Sequence, residues 1–222
     1  MACIISYRSL AFAEQIMKRI LFSVHLVVAA AMLAGISHSH AEDGVDSAKT
    51  AAFDNRIFAG PLAEKTYACF VRRYDASHLA QHLKQKVSAM KLLVTAENAR
   101  EEKTTSYSFR LGIKYHHRTG NFDSSSFCGH VVTEDARNEI RFGCGVDCEG
   151  GGINVALSKD DKPTIIRLER IRIWNRDKPD QEAEDALIAG ADDKIFRVDR
   201  ADAEECAELV TDRRELAAIR HK

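Results

Sequence analysis

From residue 106 to residue 115 the chain alternates without exception. Tyr107, Phe109, Leu111, Ile113 and Tyr115 interleave with Ser106, Ser108, Arg110, Gly112 and Lys114. Successive side chains of a strand point to opposite faces, so this pattern describes a β-strand with one buried face and one wet face. Such strands belong to antiparallel sheets; parallel strands are covered on both faces and read as continuous apolar runs. His116-His117-Arg118-Thr119-Gly120 then turns the chain, and a second strand is expected over 121–132. Glu134-Asp135-Ala136-Arg137 makes the next turn before Ile140, Phe142 and Cys144 resume the alternation. Met90, Leu92 and Val94 mark an earlier strand. Ile153, Val155 and Leu157 mark a later one, closed by the turn Asp160-Asp161-Lys162-Pro163. Beyond that turn Ile166 and Leu168 share a face, whereas Ile171 and Ile173 take the other parity. The slip predicts a β-bulge near Glu169-Arg170.

With 66–73 and 194–198 added, the chain offers about eight strands joined mostly by short turns. Consecutive hairpin-linked strands favour an up-and-down or partly open β-barrel, with a β-sandwich as the alternative. Two helices accompany them. A short one near 75–84 starts at the N-cap residue Asp75 and carries Leu79 and Leu83. A C-terminal one covers about 202–219, with Cys206, Leu209, Leu216 and Ile219 at near-helical spacing. Residues 175–191 are acidic, contain Pro179 and read as a long lid-like loop, and residues 42–55 read as disordered.

The first 41 residues read as a secretory leader. Met17-Lys18-Arg19 supplies a basic start, 20–36 an apolar run, and Ser39-His40-Ala41 the small residues before a cut after Ala41. Met17 makes a better start than Met1. The run is followed by Glu42-Asp43 and not by basic residues, so no membrane anchor is expected after cleavage. Leu33-Ala34-Gly35 precedes Ile36, which offers no thiol for lipidation. The implied compartment is the periplasm or the exterior. Removing 41 of the 222 residues leaves 181, with residues 56–222 forming one domain. The 181 residues from 42 to 222 carry 29 basic and 32 acidic residues, without the concentrated positive charge of a nucleic-acid binder.

Tyr67-Ala68-Cys69-Phe70, the stretch from Cys144 to Gly152, and Ala191-Asp192-Asp193-Lys194-Ile195-Phe196-Arg197 resemble segments of hypothetical exported proteins of alphaproteobacteria. The resemblance implies the exported compartment and the single domain. It brings no catalytic residue, because those proteins have no assigned activity.

Five cysteines fall after the leader: Cys69, Cys128, Cys144, Cys148 and Cys206. An oxidising compartment favours bonding and leaves one thiol over, with about fifteen two-bridge patterns open. A turn centred on 134–137 sets Cys128 nearly opposite Gly143, so a bridge to Cys144 or Cys148 needs little movement. A bridge from Cys69 to Cys206 would tie the first strand to the C-terminal helix. Gly145 and the glycines at 150–152 mark a turn, so Cys144 and Cys148 do not form the helix-start dithiol of an oxidoreductase.

His78 and His82 lie four apart on the short helix, a spacing that chelates a divalent metal. The Glu of a His-Glu-x-x-His protease motif is absent. A polar helix face is the simpler account, and no cofactor is expected beyond that metal. His116-His117 belongs to a hairpin tip, and His130 to a sheet surface or barrel mouth. Asp147, Glu149, Asp192 and Asp193 lack the spacing of a calcium loop. No nucleophile elbow, Ser-x-x-Lys or phosphate loop is present. The expected role is a non-catalytic envelope protein that binds a small ligand or a protein partner. The alternatives are a metal-dependent exported enzyme using His78 and His82, and a secreted inhibitor or interaction module.

Overall fold

The computed structural model describes residues 45–99, 101, 104–133, 139–146, 149–158, 163–178 and 185–220. The leader, all of 134–138, Asp147, Cys148 and Pro179 lie outside them. The described chain is mainly β. Its strands are β1 (Lys65–Arg73), β2 (Val87–Ala99), β3 (Thr104–Tyr115), β4 (Phe122–Thr133), β5 (Glu139–Gly145), β6 (Gly151–Leu157), β7 (Pro163–Asn175), β8 (Asp185–Ile188) and β9 (Ile195–Ala201). All pair antiparallel in one sheet, β1 with β2 and so on to β7, then β7 with β9 and β9 back to β1. The sheet is therefore ring-like. β4 also meets β7 directly at Phe122 and Asp123, which narrows the ring at that end.

The slip in parity along β7 is real. Gly151 pairs with Ile171 and Ile153 with Leu168, so Glu169 and Arg170 oppose Gly152 alone. Both point outward, and the core-facing set resumes at Ile171 and Ile173, which are buried. The alternating residues of β3 behave as their spacing predicts: Phe109, Leu111 and Ile113 are buried inside the ring. Met90, Leu92, Phe122, Phe142, Val155, Ile166, Phe196 and Val198 meet them there, all with no measurable exposure.

Four expectations need correction. Residues 42–55 are not a disordered lead-in throughout: α1 (Ser47–Ile57) starts at Asp46, whose carboxylate accepts from the amides of Ala48 (2.9 Å) and Lys49 (3.3 Å). Its local sequence is polar, and it is held because Phe53 and Ile57 enter the core at the ring end where β1 begins. The 175–191 excursion carries β8, paired with β7, because Leu187 is drawn into the core. The C-terminal helix is two pieces, a 3-10 helix (Ala203–Leu209) and α3 (Arg213–Arg220). Val210 between them is extended, and Asp212 accepts from the Glu215 amide at 2.8 Å to start the second piece. Finally α2 (Ala76–Gln81) does start on Asp75, which accepts from the His78 amide at 2.8 Å, but it ends before Leu83, which is 83% exposed.

A second apolar layer lies outside the ring. The 3-10 helix and α3 place Cys206, Ala207, Leu209, Val210 and Ile219 on Cys69, Val71 and Leu93, the outer faces of β1 and β2. Glu215 anchors α3 through two hydrogen bonds from the Arg110 guanidinium, at 3.0 and 2.9 Å.

Candidate functional site

Four of the five candidate cysteines are paired. Cys69–Cys206 fastens the 3-10 helix to β1 on the outer face, and Cys128–Cys144 joins β4 to β5 inside the ring. Cys128 stands directly opposite Cys144, one residue from the expected register. Cys148 lies outside the described residues. Two disulfides are the mark of an oxidising compartment.

His78 and His82 are brought together, as a stack. Their rings lie 4.3 Å apart and nearly parallel, and Tyr74 stacks on the other face of His78 at 4.6 Å. The Arg72 guanidinium caps Tyr74 at 5.1 Å. The Gln85 amide nitrogen donates to the Val87 carbonyl (2.7 Å), which leaves its oxygen to accept from Nε2 of His78 (2.9 Å). The ladder borders a cavity of about 470 Å³ shared with Asp192, Lys194 and Arg197. Among the described residues no three His, Cys, Asp or Glu side chains converge as metal ligands. Asp193 is fully buried and does structural work: its carboxylate accepts from the amides of Lys86 (2.9 Å) and Val87 (3.3 Å).

A buried polar clasp was invisible in the sequence. Asp54 of α1 accepts from the Tyr107 hydroxyl (2.6 Å) with one oxygen and meets Nε2 of His130 (2.8 Å) with the other. Phe53, Phe142 and Tyr107 crowd the imidazole at centroid distances of 5.9, 4.9 and 4.8 Å. Burial pushes the Tyr107 phenol up, and the bond to Asp54 pushes it further. Asp54 thus seals α1 over the ring end, with His130 inside.

Elsewhere an outer-face groove of about 800 Å³ runs across β5, β6 and β7. Register makes its floor. Phe127, Gly145 and Gly152 form one outward row across β4, β5 and β6; Gly129, Gly143, Asn154 and Arg167 form the next, reaching β7. Gly145 leaves its peptide planes bare, whereas Val131 leans over Gly143, where a Cβ would stand 2.9 Å from its Cγ1, and a Cβ on Gly152 would meet the Cys144 carbonyl oxygen at 2.2 Å. The wall holds Arg167, Glu169, Arg170 and Lys194, and Ile195 is 59% exposed beside them. Phe127, paired with Gly145 beyond the lining residues, is 71% exposed. Gly145 and Gly152 read as turn signals in the sequence; their convergence on one face with Gly129 and Gly143 needs the pairing register. Arg167 and Glu169 of β7 line this groove.

No family model, curated protein or solved structure matches the chain. The site is therefore argued on its own geometry.

Proposed function

We propose that the chain is an exported, non-catalytic protein of the bacterial envelope that binds a small ligand or a protein partner on its outer surface. The packed ring carries this. Side chains with no exposure fill its interior, α1 closes one end, and Asp193 draws the 190–194 segment against the start of β2 at the other. A cargo inside would have to displace that core, at the cost of the burial that folds it. The outer groove asks for no such displacement. The leader-like residues 17–41 and the two disulfides support export, and no described helix is long and apolar enough to cross a membrane.

A metal-dependent activity is the second reading, favoured by one observation, the adjacency of His78 and His82 beside a cavity. Nδ1 of His78 is the ring nitrogen that Gln85 leaves available.

Native, non-reducing mass spectrometry of the protein from a bacterial periplasm tests the proposal. The expected mass is that of residues 42–222 less four hydrogens, with nothing enclosed. An uncut chain confined to the cytoplasm, or a retained molecule of several hundred daltons that survives gentle unfolding of α1, would overturn it. A metal-sized adduct lost in His78→Ala would transfer support to the second reading.

A further inference from the structure

We propose that the glycine-floored groove is a binding site for an acidic oligosaccharide, a ligand class that deepens the surface-binding role above and rests on it. Three features of the groove converge on that chemistry. Its floor is open backbone at Gly145: a Cβ built there would meet nothing within 4 Å, so flat ligand rings can approach the peptide planes. Beyond the lining, Phe127 stands in register beside Gly145 on the same face, and its exposed ring attracts the weakly positive C–H face of a sugar. Its wall is cationic: Arg167, Arg170 and Lys194 face one carboxylate, Glu169, in a chain whose overall charge is −1.

The bulge is the device that builds the wall. Uninterrupted alternation after Ile166 and Leu168 would turn Arg170 into the core. The extra residue instead puts Glu169 and Arg170 together on the outside, next to Arg167. Arg170 is further oriented by donating to the Glu149 carbonyl at 3.1 Å, which leaves its other nitrogens for a ligand. Guanidinium forks suit planar carboxylates such as those of uronic acids.

Shape argues for a chain of rings over an acyl chain. From β4 to β9 the outward rows cross five strands, roughly 19 Å at the usual strand spacing. That is an open trough of a few sugars' length, floored by polar peptide groups. An acyl chain gains most from an enclosed apolar sleeve, and the apolar interior of this protein is already filled.

Isothermal titration of the disulfide-bonded mature protein with a short oligogalacturonate, and with a neutral maltooligosaccharide of equal length, tests the site. The acidic oligomer is expected to bind and to weaken steeply with added salt, and the neutral one to give no heat. Gly145→Val has room to fold and fills the floor, so it should abolish binding with the circular dichroism spectrum and melting temperature retained. Phe127→Ala, at an exposed position, should weaken binding severalfold, and Arg167→Gln with Arg170→Gln about tenfold or more. Absence of binding by the unaltered protein, or binding indifferent to Gly145→Val and Phe127→Ala alike, overturns the site. Preferential capture of an acidic peptide or of anionic phospholipid vesicles overturns the sugar class. The periplasmic mass is measured separately, so either failure here is distinct from failure of the exported surface-binding role.

Discussion

Asp54 is buried and accepts from two half-buried partners, which makes it a point of failure for the α1 end of the ring. Asp54→Ala leaves the Tyr107 hydroxyl and the His130 imidazole without an acceptor under Phe53 and Phe142. The expected loss is about 2–3 kcal/mol in urea unfolding, with faster hydrogen exchange confined to α1. Glu215 sets an acid dependence. Burial pushes its carboxyl up, but the hydrogen bonds and charge of Arg110, with Lys65, outweigh that and hold it below the ordinary glutamate range. A depressed carboxyl stabilises the fold above its unfolded pKa, and the contribution is lost as pH falls through the folded value. The urea midpoint should therefore drop on acidification below about pH 4.3, less steeply in Glu215→Gln. Tyr67 works from the alkaline side: burial first, then Glu215, push its phenol up to about 12. Its stabilisation is complete below the free phenol pKa of about 10 and disappears as pH rises towards 12, and ultraviolet titration should show Tyr67 ionising late.

The β5–β6 hairpin and the bulged β7 show how an element can demand one residue type for two unlike reasons. A Cβ on Gly152 would lie 2.2 Å from the Cys144 carbonyl oxygen, a backbone atom that cannot swing aside. Gly152→Ala should therefore destabilise by about 2–3 kcal/mol, whereas Gly145→Ala, with open space above it, should stay within about 0.5 kcal/mol. Thermal melts of the pair separate a glycine kept for folding from one kept bare for the groove. The C-terminal elements are held differently. The 3-10 helix is joined to β1 by Cys69–Cys206 and packs Leu209 over Gly112, where a Cβ would stand 2.6 Å from the leucine Cδ2. The near-helical spacing of Cys206, Leu209, Leu216 and Ile219 reported their common face: three are buried and Leu216 is half-buried against them. It did not report the break at Val210, because a disulfide and a sheet surface decide where that segment must lie.

The whole ring depends on contacts distant in sequence, of which the two disulfides span 137 and 16 residues. Replacing Cys69 and Cys206 by serine should cost about 2–5 kcal/mol, and reduction of both bridges should lower the melting temperature of the unaltered protein further. Much of this architecture was legible beforehand. Period two fixes which face of each strand is apolar, so the strands, the hairpin order and the bulge at Glu169-Arg170 could be read locally. The Asp75 cap could be read in the same way, since it involves residues three apart. Other features have no local signal. Ala186, Leu187 and Ile188 are too few to announce β8 within an acidic stretch; it exists because β7 offers an unpaired edge where β9 ends. α1 is ordered by Phe53, Ile57 and Asp54 meeting a ring that is built much later in the chain. The stacking of His78 on His82 follows helical spacing, but its engagement by Gln85 and Tyr74 does not. The groove belongs to the same class: Gly129, Gly143, Gly145 and Gly152 become one surface only when three strands pair in register. Alternation is a property of neighbouring residues, and a chain carries it openly; a shared face is a property of pairing, and it comes into being only with the fold.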